Sequence, residues 1–374
     1  MVNKIIHIIK NETVMSVAII LAVISAFFVK PDMEYLSYID FRTLALLFCL
    51  MAVMAGFQKT GVFKLMAERL LGRIRSIRSL SFILIMLCFF LSMLVTNDVA
   101  LITFVPFTIV ILDMAGSERK DKLLIRTVVM QTVAANLGSM LTPIGNPQNL
   151  YLHGISGMGI GEFMTLLLPY TAVSFFLLTA WVIFRNKKQA IQINIKDKTL
   201  VTEKVRVAVY ALLFLLCLVT VGRAVDYRIT LIIVIAAIAA ADCKIFLKVD
   251  YTLLITFAAF FVFIGNMGRI SVFSNYISSV INGHECITGI LSSQLISNVP
   301  AALLLSGFTD NLKPLIIGVN LGGLGTLIAS MASLISFKFV GHESKSLRGK
   351  YLLYFTAVNI VFLIVLLALY YVIR

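Results

Sequence analysis

Long apolar blocks alternate with short polar connections along nearly the whole chain. The blocks at residues 14–29, 41–57, 162–184, 208–222, 229–241, 251–267 and 351–373 each predict a membrane-crossing helix, because a run of about 20 apolar residues spans the hydrocarbon core. Four further blocks are interrupted. Residues 80–112 break at Thr96-Asn97-Asp98 and residues 287–308 at Ser297-Asn298, and each predicts a re-entrant hairpin with its polar tip near mid-membrane. For the first, two ordinary crossings joined by a tight turn are the alternative, and the flanking charges fit either. Residues 125–153 and 315–337 carry Gly, Pro, Asn and Thr inside apolar sequence and predict broken helices. Such breakers free backbone N–H and C=O groups that lipid cannot satisfy, so they are tolerated where they line an enclosed cavity. Residues 59–78 interleave six Lys and Arg with Val62, Phe63, Leu65, Leu70 and Leu71, the pattern of an amphipathic helix on an anionic membrane face.

The interrupted blocks answer each other. At an offset of 184 residues, Asn136, Leu137, Gly138, Thr142 and Ile144 coincide with Asn320, Leu321, Gly322, Thr326 and Ile328. At 201, Ser92, Thr96 and Asn97 fall on Ser293, Ser297 and Asn298; at 210, Asp40-Phe41 falls on Asp250-Tyr251 and Val62-Phe63 on Val272-Phe273. The chain therefore divides into a first repeat at 1–185, a cytoplasmic linker at 186–207 and a second repeat at 208–374. With hairpins that return to their own side, nine crossings result and five lie between equivalent spans, an odd number that inverts one repeat relative to the other. The fold class expected is an all-α polytopic membrane protein of two inverted-topology repeats.

Composition agrees with this. Only 13% of residues are charged and 60% are hydrophobic, against about 25% charged in soluble domains. The net charge of +14 is confined to short connections: 25 Lys and Arg fall on one predicted face and seven on the other. That asymmetry argues against nucleic-acid binding and places the N-terminus in the cytoplasm and the C-terminus outside, in a bacterial inner (plasma) membrane. The first apolar block has no small-residue cleavage site and reads as a retained helix. Five cysteines without CxxC spacing and four histidines without ligand spacing offer neither a zinc site nor a catalytic constellation.

The candidate chemistry lies at the tips and breaks. Ser92 with Thr96, and Ser293 with Ser297, stand four residues apart, so each pair can present oxygens on one helix face. Thr, Asn and Asp are also preferred helix caps, and Pro147 and Pro300 suit a first helical turn. Both roles are compatible, since a capped half-helix start is itself an anion site through its N–H groups and dipole. Asn97, Asp98, Asn146, Pro147, Asn298, Val299 and Ser330 are the candidate substrate contacts. Asp98 is the carboxylate deepest in an apolar region, where charge is costly and by default functional. It could carry a coupling proton, complete a cation site, or only cap residues 99–112.

At these residues the chain resembles the ion transporter superfamily, which includes divalent anion/sodium symporters, arsenite permeases and citrate permeases. The resemblance covers nearly the whole chain. It implies an elevator-type scaffold, usually homodimeric, with substrate held between the tips. Symporters of this kind carry Ser-Asn-Thr at both tips; Thr96-Asn97-Asp98 and Ser297-Asn298-Val299 depart at the third position, and Asn97-Asp98 with Pro300 two residues after Asn298 is closer to arsenite permeases. By similarity, a first sodium site would use Ser92, Thr96, Asn97 and Gly145, and a second Ser293, Ser297, Asn298 and Ala329.

The expected function is secondary active transport of a small anion or oxyacid, dicarboxylate-, citrate- or arsenite-like, coupled to sodium or protons, in contact with membrane lipid and without an organic cofactor. A sodium/proton antiporter on the same scaffold is the alternative. An ion channel fits inverted broken repeats less well, and enzyme activity has no supporting constellation.

Overall fold

A computed structural model describes residues 12–71, 76–114, 120–185 and 204–373. The linker expected at 186–207 lies mostly outside the described residues, as do Arg73, Arg75, Arg119 and both termini. Among the described residues the architecture is all helical. The first half contains α1 (Thr13–Phe28), the short α2 (Tyr35–Tyr38), α3 (Phe41–Thr60), α4 (Val62–Leu71), α5 (Ile77–Val95), α6 (Asn97–Met114), α7 (Lys120–Ser139), α8 (Pro147–Ser156) and α9 (Ile160–Arg185). The second contains α10 (Lys204–Val221), α11 (Tyr227–Asp242), α12 (Tyr251–Gly268), α13 (Ser271–Ile281), α14 (Glu285–Ile296), α15 (Asn298–Ser306), α16 (Leu312–Leu321), α17 (Met331–Glu343) and α18 (Arg348–Ile373). Seven helices among the described residues are long and apolar enough to cross a membrane.

The helix starts follow from local chemistry. Asp40 and Asp250 accept the amides of Thr43 and Leu253 at 3.0 Å, capping α3 and α12. Ser76 accepts the Ser79 amide at 3.2 Å and starts α5 ahead of the apolar run, so Arg78 is helical. Arm α5 is consequently 19 residues long and α6 18. The first arm is longer than its apolar run at 80–95, and its 19 residues at about 1.5 Å each reach nearly 30 Å, whereas the apolar part of the second arm, Asn97–Leu112, stays shorter. The second hairpin keeps short arms of 12 and 9 residues. Helix α13, absent from the sequence expectation, occupies in the second half the place of the amphipathic α4.

Packing pairs the halves crosswise. Helix α1 lies on α12, and α11 lies on α3. Within each half the first hairpin arm packs on the first segment of the broken helix, α5 on α7 and α14 on α16. The second arms cross over: α6 meets α17 and α15 meets α8. Outward surfaces are apolar, with Phe28, Val205, Leu353 and Val372 among the most exposed side chains, while Asn97, Asn136, Asn149, Asn298 and Asn320 are buried. Lipid selects this arrangement, since unpaired polar groups are expensive at membrane depth. Ion pairs join Lys59 with Asp242, Arg269 with Asp32, and Lys313 with Glu162.

Candidate functional site

Each hairpin tip turns on a single hydroxyl residue with positive φ. Thr96 has φ 75° and ψ 151°, and Ser297 φ 74° and ψ 154°. That region is almost exclusive to glycine and costs roughly 1–3 kcal/mol for other residues. Only Thr96 lies outside helix at the first tip; Asn97 and Asp98 are already the first residues of α6. The Asn97 amide donates to the Gly145 carbonyl at 3.1 Å, across to the break between α7 and α8. At the second tip the Ser297 hydroxyl donates to the Ala329 carbonyl at 3.5 Å, across to the break between α16 and α17. The structure thus brings together Thr96, Asn97 and Gly145 in one group and Ser297 and Ala329 in another, with Asn298 beside Gly323. Ser92 and Ser293 bond back to their own helices, donating to the carbonyls of Phe89 and Gly289. These sets are rich in oxygen, the chemistry a hard cation requires. No group of three or more His, Cys, Asp or Glu that could hold a metal occurs among the described residues.

Between the tips the two breaks are tied by amides. Asn146 caps α8, its Oδ1 accepting the Asn149 amide at 2.9 Å, and its side-chain nitrogen donates to Asn320 at 3.2 Å and to Ser139 at 3.3 Å. Asn320 donates in turn to Asn149 at 2.7 Å. On the other side the Ser330 hydroxyl donates to Asn136 Oδ1 at 3.0 Å, and the same oxygen accepts from the Asn97 side-chain amide at 3.1 Å. Pro147 occupies the first turn of α8, where its missing N–H costs nothing. Val299 is buried in the first turn of α15.

A cavity of about 160 Å³ ends on Thr96, Asp98, Asn146 and Pro147 and is walled by Leu47, Leu50 and Gln58 of α3. Lys248 and Asp250 line it as well. Asp98 Oδ1 is buried and has no hydrogen-bond partner among the described residues. Among the described residues no amide donates to its carboxylate, and the Asp98 amide itself donates to Asn97 Oδ1 at 2.9 Å.

A model of the citrate transporter family matches residues 4–314. The chain belongs to the citrate transporter family. An uncharacterized transporter of Methanocaldococcus jannaschii is 34% identical over 337 residues, covering 90% of this chain and 91% of that one. The inner membrane protein YbiR of Escherichia coli is 30% identical over 305 residues, 80% of each. A silicon efflux transporter of Oryza sativa subsp. japonica is 30% identical over 141 residues, 38% of this chain and 28% of its own. This citrate transporter family member is a multi-span membrane transporter and not an enzyme, which agrees with the superfamily resemblance of its sequence.

Sequence reasoning missed several residues of the site. Asn149 and Gln294 carry much of its hydrogen bonding: Asn149 donates to the Met140 and Thr142 carbonyls, and Gln294 to those of Gly322 and Leu324. Both are amides inside apolar runs beside a recognised break, and that context was the available signal. Lys248 and Asp250 share this cavity with Asp98, 150 and 152 residues away in sequence; the sequence marks Asp250 only as the repeat partner of Asp40.

Proposed function

We propose that this transporter moves a small oxyanion or weak oxyacid by alternating access, coupled to sodium or protons, with substrate contacting Asn97, Asp98, Asn146, Pro147, Asn298, Val299 and Ser330. The observation that carries the reading is the correspondence of the tips: two hydroxyl residues with matching positive φ, at tips that bond across to the break of their own half through the Asn97 amide and the Ser297 hydroxyl. Such a correspondence supports two inverted repeats working as an elevator, with Ser92, Thr96, Asn97 and Gly145 around one coupling ion and Ser293, Ser297, Asn298 and Ala329 around another. The half-helix starts at Asn97, Pro147, Asn298 and Met331 offer N–H groups and positive dipole ends to an anion. The donors are amides and hydroxyls, which suits a ligand that must also be released. The citrate in the family's description is an oxyanion of this class, and the partly matching rice relative is described as a silicon efflux transporter. A homodimer, N-terminus in the cytoplasm, completes the proposal.

A sodium/proton antiporter is the second reading, favoured by the unpartnered Asp98 oxygen in the cavity. Purified protein in liposomes separates the two. Accumulation of citrate, arsenite or silicic acid driven by an imposed sodium or pH gradient supports the proposal. Sodium/proton exchange with no such substrate present supports the antiporter and sinks the proposal.

A further inference from the structure

Away from the tips, a second cavity of about 450 Å³ is lined by Asp121, Lys122, Ile125, Arg126, Arg185, Leu347, Lys350 and Tyr354. Its cations come from three helices: Lys122 and Arg126 from the first turns of α7, Arg185 from the end of α9, and Lys350 from the start of α18. Four cations face one carboxylate, Asp121, among the lining residues. Positive charge spread through connecting loops is the usual result of membrane topology, and it leaves no cavity. Here the side chains converge on a space in the size range of small-molecule sites, roughly 300–1,000 Å³, with Ile125, Leu347 and Tyr354 as apolar wall.

The immediate surroundings identify the occupant's other half. Ile183 and Phe184 directly precede Arg185 and are 47% and 85% exposed, and Leu352 and Leu353 follow Lys350 at 43% and 76%. Apolar side chains exposed to this degree on long apolar helices face acyl chains, and the cations stand at their ends, at headgroup level. We infer that this cavity binds the phosphate headgroup of an anionic phospholipid, held by Arg126, Arg185, Lys122 and Lys350 while its acyl chains lie along Phe184 and Leu353. Two guanidiniums can engage phosphate oxygens in pairs, and basic pockets between transmembrane helices are suited to such headgroups. A soluble anion would gain nothing from the neighbouring apolar surface. The inference does not depend on the transported substrate, since none of these residues lines the tips or the first cavity.

The test uses the full chain, purified in a neutral detergent, with lipid retention read by native mass spectrometry. Phosphatidylglycerol should bind, and phosphatidylcholine of the same chain length should be stripped. At about a fivefold loss of affinity per basic residue removed, Arg126→Gln with Arg185→Gln should weaken phosphatidylglycerol roughly 25-fold. Arg126→Lys with Arg185→Lys should lose less than the glutamine pair, since the charge stays while the paired guanidinium geometry goes, and the pair Lys244→Gln with Lys338→Gln, outside the cavity lining, should retain most of it. Should the double glutamine variant not fold, the exposed Lys122→Gln alone should still cost about fivefold. Equal retention of the two lipids, equal loss in the Lys244 and Lys338 pair, or full displacement by millimolar inorganic phosphate would each overturn the inference; the last would mark a soluble-anion site instead.

Discussion

The side-chain amide of Asn146 donates to Oδ1 of Asn320 across 3.2 Å, joining the N-cap of the second segment of one broken helix to the last turn of the first segment of the other. Its counterpart is the 3.0 Å bond from Ser330 to Asn136. The same pair of positions, 184 residues apart, is thus used twice in opposite directions between the halves. All four residues are buried, so neither bond competes with water.

Asn146→Ala should therefore cost more than a cap. Losing the bond to the Asn149 amide costs about 0.5–2 kcal/mol, and leaving Asn320 half-paired in a buried site adds about 1–3. Thermal unfolding in detergent should show a drop of several degrees, with uptake abolished. In a double-mutant cycle with Asn320→Ala, a coupling of about 0.5–3 kcal/mol is expected for groups in one network; strict additivity would mean that the bond does not join the halves.

The tips invite the opposite change. Thr96 and Ser297 hold φ values near 75° that glycine adopts freely. Thr96→Gly and Ser297→Gly should each raise stability by roughly 1 kcal/mol or more through relief of strain, while uptake falls because the hydroxyl and the fixed turn are both lost. A variant that gains melting temperature and keeps full transport would show that the strain serves no purpose in the cycle.

Gly138 lies where α7 crosses α5. A Cβ there would sit 2.0 Å from the Phe89 carbonyl oxygen and 2.7 Å from Ser92 Oγ, and one at Gly322 would sit 2.5 Å from Ser293 Oγ. In exposed helix Gly→Ala is normally stabilising by about 0.5–1 kcal/mol, an outcome expected at Gly161, where nothing lies within 4 Å. At Gly138 the sign should reverse, to a loss of about 1–3 kcal/mol or more from overpacking. Melting curves of Gly138→Ala and Gly161→Ala, compared side by side, check this close approach.

What the sequence reveals of this architecture depends on whether the cause is local. Thr96, Asn146-Pro147, Ser297 and the glycines at 322 and 323 break apolar runs, and a break is visible wherever the surroundings are uniformly greasy. The ends of α5 were not visible, because Ser76 extends the helix through a polar stretch that hydropathy alone excludes. Helix α13 was hidden for a similar reason: Ser271–Ile281 mixes Ser, Asn and Tyr with apolar residues, although Val272-Phe273 already matched Val62-Phe63 in α4. The wall that Lys248 and Asp250 contribute beside Asp98 is created by packing of α12 near α3, and only the folded chain contains it.

Acid should probe the loop between α1 and α2. Arg269 donates to Asp32 at 2.7 Å and to the Tyr38 hydroxyl at 3.1 Å, and this bond to Arg269 holds the Asp32 carboxyl below its ordinary value. A carboxylate depressed in the folded state adds stability that is complete above the unfolded value of about 3.9 and is lost as pH falls through the folded one. Melting temperature should consequently fall more steeply below about pH 4 in the native protein than in Arg269→Gln. Parallel curves over pH 3–6 would show that the exposed pair contributes nothing measurable, as many surface pairs do.

Asp98 offers the decisive test of coupling. Its Oδ1 is buried without a partner among the described residues and lines the same cavity as Lys248 and Asp250. A carboxylate left unpaired there is a natural place for a proton to bind and leave with each cycle. Asp98→Asn preserves shape and removes the titration. If Asp98 carries the coupling proton, the variant in liposomes should still exchange substrate across the membrane at equal concentrations but should no longer concentrate it against a pH gradient. If instead sodium is the driving ion, Asp98→Asn should leave the pH response unchanged and raise the sodium concentration needed for half-maximal uptake, because a negative charge beside the first cation site is gone. Retention of both gradients at native strength would remove Asp98 from the coupling step.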